Sequence, residues 1–576
     1  MEKKQVKRQN IIQLVLLLVL VGLFNFVSHY IFHRFDLTQE KRFTLAQSTK
    51  TFLNEMEDVV FMKVYLEGDN MPAGFQRLQK STKELLDEFR RYAGNNIQYE
   101  FINPSESTDE KTRREVWDQL AGDGMMYFNV TSQSDDGSEV SRPVFPAAMV
   151  SYSAHGQQLE RPVNFFRGSS TNRINDGTIN RAVENLEYEF ISAMRVITRE
   201  MVPRVAIIEG HGELDQYEIN SLTTALSGFY RVERVKIDEQ LHALDEYDAI
   251  IVADPKERIS EKEQFILDQF ILRGGKSLWL VDAAKVDLNE IAYSYETMSK
   301  ANPVGIRRML FDYGAKINTI FVQDLHCAKI PVNTAANNEE QPIWDPRHYI
   351  YFPLVVPRQD NPITRNLNLI RFEFVSTVDT VGDDPNIKKS VLLTSSKNSR
   401  YIRQPARIST DIFKEQLESS RFPHSELPLA VLLEGKFQSY YRNRLSEEFT
   451  ESDLVEVLDE SVKNTKIIVV ADGDVAKNFV IGEGNQRRMH PLGYDRFSER
   501  TFGNQDFLLN CMNYLLDDEG VMGVRSREVR LRLMEFDQLT VHKVKWQLIN
   551  LLVPVLLVLI FGLVYIVIRK RKYSRK

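Results

Sequence analysis

Apolar residues run unbroken in two places, one at each end of the chain, and elsewhere they recur with the periods of helices and strands. The first run is Ile11 to about Val27, extendable to Phe32; the second is Trp546 to Ile568. Each is long enough to cross a hydrocarbon core of about 30 Å as a helix. After the first run, Met62 to Leu66 alternates as a strand. Gly74 to Tyr92 places Phe75, Leu78, Leu85, Leu86 and Phe89 on one helical face, and Ile97 to Ile102 is a second strand stopped by Asn103-Pro104. Strand, helix and strand at this spacing predict a βαβ unit with parallel pairing. Tyr127 to Val130 and Val144 to Tyr152 add strands, and a helix over Ile179 to Glu200 closes the unit.

A second α/β pattern opens after Pro203. Arg204-Val205-Ala206-Ile207-Ile208 is a buried-strand run, and Gly210-His211-Gly212-Glu213 turns the chain into a helix over Gln216 to Leu226. Strands follow at Val232 to Ile237 and Ala249 to Ala253. Ser260-Glu261-Lys262-Glu263 is a capping box, whose serine and glutamate side chains satisfy unpaired amides at a helix start. That helix stops at Gly274-Gly275, before a strand over Leu278 to Val281. The alternation predicts a doubly wound parallel sheet. The segment 326–362, from His326 to Pro362, is rich in Pro and Asn and reads as a long surface excursion. Strands resume at Val391 to Leu393, Leu429 to Leu433 and Ile467 to Val470, and a helix over Gln505 to Leu516 precedes the charged, helix-permissive stretch Arg525 to Lys545.

These signals divide the chain into a tail (1–10), a transmembrane helix (11–32), a first α/β domain (33–202), a second (203–524), a pre-membrane segment (525–545), a second transmembrane helix (546–568) and a basic tail (569–576). Lys3, Lys4, Lys7 and Arg8 flank the first apolar run; Trp546 opens the second, and Arg569, Lys570, Arg571 and Lys572 follow it. Basic flanks stay cytoplasmic, so two spans put both termini in the cytoplasm and the body outside. Arg34, Lys41 and Arg42 weaken the asymmetry at the first run. A cleaved signal peptide is the competing reading of that run, but Asn25-Phe26-Val27-Ser28-His29-Tyr30 offers bulky residues where a small-x-small site belongs.

Charge narrows the function. The net charge is −7; with both basic tails set aside the body carries −16, which argues against nucleic acid as a partner. Two cysteines permit one disulfide at most, and Cys511 falls on the apolar stripe Phe507, Leu508, Cys511, Leu515, the position of a small core residue; Cys327 follows a short apolar segment.

Candidate chemistry is sparse. Gly275-Lys276-Ser277 resembles the end of a phosphate-binding loop. However, Phe270 stands where the pattern needs glycine, and the residues lie between helix and strand rather than strand and helix. Gly274 is better explained as a helix C-cap. His211, between Glu209 and Glu213 at a strand's carboxyl end, could hold a ligand or act as a base; the plainer reading is a glycine-assisted turn, since no second histidine stands nearby. Asp472-Gly473-Asp474 could hold a hard cation, but without further acidic positions in pattern the plainer reading is a turn leaving a strand. No nucleophile elbow and no C-x-x-C motif occur.

Several stretches, taken in order, resemble one family: Arg34-Phe35-Asp36-Leu37-Thr38, Glu40-Lys41-Arg42-Phe43-Thr44-Leu45, Val64-Tyr65-Leu66-Glu67-Gly68-Asp69, Pro72-Ala73-Gly74-Phe75, Phe101-Ile102-Asn103-Pro104, Ile208-Glu209-Gly210-His211-Gly212-Glu213-Leu214, Gly274-Gly275-Lys276-Ser277-Leu278-Trp279 and Trp546-Gln547-Leu548-Ile549-Asn550. The set is similar to the GldG family, gliding-motility-associated auxiliary membrane subunits of an ABC transporter in Bacteroidetes. The resemblance implies two periplasmic α/β domains between inner-membrane anchors, the second amidotransferase-like but lacking that family's nucleophile. It also implies a GldF-like permease and a GldA-like ATPase as partners, no cofactor, a further periplasmic partner and no enzymatic activity. The rival expectations are a periplasmic solute-binding module with a cleft near His211, and a hydrolase or amidotransferase relative using His211 with Glu209 or Glu213.

Overall fold

The computed structural model describes residues 12, 15–17, 19–20, 23, 44–68, 71–133, 139–154, 157–166, 174–199, 201–333, 344–442, 444, 457–482, 486–526 and 536–573. Lys3, Lys4, Lys7, Arg8 and most of the first apolar run lie outside them; those of the run that are described, such as Leu16 and Leu20, are helical and exposed. Compactness separates the body, Phe43–Arg527, from a unit holding Glu528–Lys576, and draws no division at 202.

The first sheet has the order β2-β1-β5-β6, from β1 (Val60–Val64), β2 (Ile97–Phe101), β5 (Ala147–Ala154) and β6 (Gln157–Asn164). β1 and β2 pair in parallel across the helix α2 (Ala73–Ala93), as the spacing predicts; β5 and β6 are antiparallel additions. Alternation in β1 sends Val60, Met62 and Val64 into the core, where Phe75, Leu78, Leu86 and Phe89 of α2 meet them. Each such side chain contributes about 1.5–3 kcal/mol by burial. A helix α1 (Gln47–Asn54), not expected from the pattern, packs on the same core; α3 (Glu110–Gly122), also outside the expected elements, is largely solvent-facing. A hairpin of β3 (Phe128–Gln133) and β4 (Glu139–Val144) stands apart, and α4 (Asp176–Thr198), N-capped by Asn175, covers the sheet.

The second sheet is larger. It joins β7 (Arg204–Glu209), β8 (Arg231–Lys236), β9 (Ala249–Ala253), β10 (Lys276–Leu280), and three later strands, Ile387–Thr394, Pro428–Gly435 and Thr465–Val470. Thr465–Val470, β10, β9, β7 and β8 run parallel in that order. Pro428–Gly435 is antiparallel to both of its neighbours, so the sheet is mixed rather than wholly parallel. An apolar run reads the same in either direction, which is why the pattern misses the reversal. Successive β7 residues feed opposite cores: Val205 and Ile207 join Leu222, Leu226 and Phe507, while Ala206 and Ile208 join Ile266, Leu267 and Leu310. Helices therefore cover both faces: α5 (Asn220–Ser227) and α8 (Asn504–Leu515) on one, α6 (Glu261–Leu272) and α7 (Arg307–Tyr313) on the other. The capping box forms as expected, Ser260 accepting from the Glu263 amide at 3.2 Å and Glu263 from the Ser260 amide at 3.1 Å.

Two expectations need correction. The segment 326–362 is not a loose excursion: Cys327–Asn333 and Trp344–Val355 form an antiparallel hairpin whose Tyr349, Tyr351 and Phe352 pack with Phe321 and Phe374 in a core of their own. Pro331 and Pro346, which suggest a loop, face each other across one rung, so the missing donors fall at the same place. The boundary of 203–524 also fails at its end, because Val521, Met522 and Val524 pack into the first core beside α1 and α4.

The second unit contains one long helix, Phe536–Tyr573, with Pro554 inside it. At 1.5 Å per residue its 38 residues extend about 57 Å. Gln547–Ile568 has a mean hydropathy of 3.2, with none of it buried, and is long and apolar enough to cross a membrane; Lys570 and Arg571 beyond it are exposed.

Candidate functional site

Several buried ionisable groups gather at the carboxyl ends of the parallel strands, among them His211, Asp254 and Asp472. The strand order reverses direction at β7, which lies between β8 and β9, so a crevice is expected there. The chain fills that place itself. The His211 carbonyl accepts from the Lys256 and Glu257 amides, both at 2.8 Å, and the Leu214 amide donates to the Ala253 carbonyl at 3.1 Å. The His211 ring is buried between two carboxylates: Nδ1 lies 3.0 Å from Glu213 Oε1 and Nε2 3.0 Å from Glu263 Oε2. Hydrogen bonding to Glu213 raises the imidazole pKa to about 9, with Glu263 assisting against the cost of burial. The ring is thus a doubly held imidazolium with both nitrogens donating. Glu209 turns away and pairs with Arg234 at 2.7 Å. Of the three residues singled out from the sequence, His211 and Glu213 come together, Glu209 stands apart, and Glu263, unflagged there except as a cap, completes the cluster.

Beside it lie four aspartates. Asp254 follows β9, Asp282 follows β10, and Asp472 and Asp474 follow Thr465–Val470. Asp472 accepts from the Glu373 and Val475 amides at 2.8 and 3.1 Å, and Asp282 from the Gly473 amide at 2.6 Å. Asp254 pairs with Lys256 at 3.0 Å, and Asp474 with Lys477 at 3.1 Å. Burial pushes Asp254 up to about 7, with Asp474 adding repulsion, and holds Asp282 and Asp472 well above the usual carboxylate range. A Cβ on Gly473 would stand 2.5 Å from Asp254 Cβ, so only glycine fits there. The Asp472-Gly473-Asp474 turn is thus stapled by its own carboxylates; among the described residues no group of three or more His, Cys, Asp or Glu side chains is placed to hold a metal ion. The sequence signal for this cluster is a repeated one: three apolar strands, each followed at once or within two residues by aspartate.

The phosphate-loop look-alike has other work. Gly274 ends α6 with φ 96°, Lys276 is buried and pairs with Asp518 at 3.4 Å, and the Ser277 hydroxyl accepts from the Trp279 indole at 2.9 Å. Both cysteines are free and buried.

A third arrangement gathers at the end of the body. After α8 the chain turns at Asp517, whose carboxylate accepts from the Val521 and Met522 amides at 3.0 and 2.7 Å. Arg195 of α4, buried, pairs with Asp517 at 3.4 Å and with Glu519, and its guanidinium lies over Phe52 of α1. Lys466 donates to the Tyr514 and Asp517 carbonyls at 2.8 and 3.0 Å, and Arg525 to the Arg365 carbonyl at 3.0 Å while lying over Tyr188. The segment that leads toward the long helix is therefore fastened to both sheets' supporting elements, next to the helix that follows the first apolar run. Sequence reading missed Arg195; its one signal is a cation inside the apolar stripe of α4 that runs through Ile191, Met194 and Ile197.

A family model described as "ABC-type uncharacterized transport system" matches residues 202–511, and one described as a domain of unknown function (DUF7088) matches residues 39–151. More than half the chain lies in the first match: the protein belongs to that family and is an auxiliary component associated with an ABC transporter. No curated protein matches. Among solved structures it is similar to the mmIFT52 N-terminal domain (12% identity, 54% of this chain and 96% of that one, TM-score 0.29). It is also similar to a putative thua-like protein from Parabacteroides merdae (11%, 58% and 94%, 0.24) and to the exo-β-1,4-mannosidase Op5Man5 from Opitutaceae bacterium strain TAV5 (12%, 79% and 51%, 0.22).

Proposed function

We propose that the chain is a non-enzymatic, two-pass inner-membrane subunit of an ABC-type complex of the gliding-motility kind, with both termini cytoplasmic and the acidic α/β body in the periplasm. A GldA-like ATPase would hydrolyse ATP on the cytoplasmic side, and a GldF-like permease would pack against the two anchors. The observation that carries the reading is the helix Phe536–Tyr573, which is apolar and exposed along Gln547–Ile568. In this reading Glu209, His211 and Glu213 serve the body's architecture: both imidazole nitrogens are committed to carboxylates, and Glu209 to Arg234. The Asp517 junction offers a route by which movement of a membrane helix reaches the folded body.

Affinity purification of the tagged full-length chain in mild detergent, with mass spectrometry of what stays bound, tests the assignment. An ATPase and a polytopic permease at comparable amounts are expected. Recovery of the chain alone, under conditions that keep other ABC complexes intact, would refute it. Replacing 525–545 by a flexible linker tests the mechanics: assembly is expected to persist and motility to be lost, and retained motility would sink the coupling.

A further inference from the structure

A cleft of about 490 Å³ opens between the two α/β parts of the body, within the range of about 300–1,000 Å³ of ligand sites. Its walls come from β6 and α4 on one side and from Phe229, Asn368 and residues 491–506 on the other. Phe229, Leu492 and Phe502 supply apolar surface; Ser192 and Gln505 supply a hydroxyl and an amide suited to a peptide backbone. Arg161 closes one end, lying over the Phe229 ring at 4.1 Å and donating to the Gly228 carbonyl. Glu189 and Asp506 also line the wall, and each is already engaged within the protein.

The stretch 480–501, which supplies part of this wall, departs from the acidity of the body: Arg487, Arg488, Arg496 and Arg500 stand there against Glu483, Asp495 and Glu499. Two short hairpins, Val480–Ile481 with Arg488–Met489 and Tyr494–Asp495 with Arg500–Thr501, are locked together by His490 stacked on Tyr494 (centroids 4.5 Å apart, planes 8° apart) and by Arg496 over Phe479. Pro491 and Leu492, between the hairpins, and Thr501, at the end of the second, are themselves cleft wall. Arg487 is neutralised by Asp215 at 2.7 Å. Arg488, Arg496 and Arg500 are exposed, and no described carboxylate lies within ion-pair distance of them. Three unpaired guanidiniums on a body of net charge −16 draw a partner of opposite sign to this place and repel acidic surfaces elsewhere.

We propose that this cleft and the arginines beside it bind an acidic, extended segment of a partner protein, the backbone bonded by Ser192 and Gln505, apolar side chains against Phe229 and Phe502, and carboxylates on Arg488, Arg496 and Arg500. It rests on the body being the partner-facing part of the complex, and it can fail while the ATPase and permease still copurify. The test is fluorescence polarisation of a labelled peptide alternating Asp or Glu with Phe, against the full-length protein in detergent micelles at low and high salt. Binding that weakens with salt is expected, as is roughly tenfold loss in the double variant Arg488→Glu, Arg500→Glu. Ser192→Trp, which fills the cleft without changing charge, is expected to weaken binding while the melting temperature stays within a degree or two. Affinity indifferent to both variants, equal affinity for a lysine-rich peptide, or anionic lipid vesicles displacing the peptide would each overturn the assignment.

Discussion

Removing the His211 ring is the sharpest perturbation of the strand-end cluster. In His211→Ala the Glu213 and Glu263 carboxylates, whose side chains are 2% and 11% exposed, lose their shared cation. Breaking a buried ion pair from one side costs about 3–5 kcal/mol. Titration gives an independent figure: a pKa raised from 6.5 to about 9 is worth about 3 kcal/mol at about 1.4 kcal/mol per unit. The sign follows from the direction. A folded-state pKa raised above the unfolded one contributes stability that is complete below about pH 6.5 and is lost as pH rises through about 9. The gap between wild type and variant should therefore be about 3 kcal/mol at pH 6 and nearly vanish by pH 10. Denaturant unfolding of the detergent-solubilised protein, followed by tryptophan fluorescence, to which the fully buried Trp279 contributes, measures it. A variant as stable as wild type at pH 6, or a gap that does not change with pH, would refute the clamp and revive the alternative in which His211 is a base whose loss removes activity without destabilising the fold.

Other substitutions probe the neighbouring arrangements. Arg195→Met leaves Asp517 buried without its cation and should cost about 3 kcal/mol; in a double-mutant cycle with Asp517→Asn the coupling should exceed about 1 kcal/mol, and simple additivity would contradict the pairing. Asp254→Asn should gain on wild type as pH rises from 5 to 8, by about 2–4 kcal/mol, because a carboxyl raised to about 7 by burial favours folding only while protonated; thermal melts across that window decide it. Gly473→Ala brings a methyl within 2.5 Å of Asp254 Cβ and should lower stability by about 1–3 kcal/mol, whereas Gly94→Ala, with open space around it, isolates the cost of its φ of 61° alone.

Much of the fold was legible because burial imposes period. The strand, helix, strand order of residues 60–101 and the capping box at Ser260 follow from local rules that no distant contact overrides. Strand direction was not legible: Pro428–Gly435 owes its antiparallel course to where the chain re-enters the sheet, which its own side chains do not encode. The hairpin at Trp344–Val355 hid behind prolines that act as a matched pair only once folded. The site was legible in one part alone. His211 stands out as a histidine among carboxylates, but its second partner, Glu263, is fifty-two residues away and reads as a cap. Arg195 and Asp517, separated by 322 positions, meet only in three dimensions.

Glu263 shows why the strand-end cluster is a poor place for catalysis and a good one for rigidity. One carboxylate oxygen both caps α6 and holds His211, so the turn after β7 and the helix after β9 share a single charge. Moving the histidine toward a substrate would uncap the helix and unpair the turn together. The Asp517 junction has the opposite economy. Its bonds are to backbone amides of a short segment, and its cation, Arg195, comes from the helix that spans both cores. Leu45, Ala46 and Phe52, near the start of the body, and Val521, Met522 and Val524, near its end, enter that same core. A displacement of either segment is therefore felt at Arg195 and α4, and at the seven-stranded sheet both through Lys466 and Lys276, which hold Asp517 and Asp518, and through Asn513 of α8, which bonds Tyr188 of α4 and Tyr230 at 3.2 and 2.8 Å. Rigid strand ends and one shared base are what a body needs if motion supplied at the membrane is to turn it as a whole rather than unravel it.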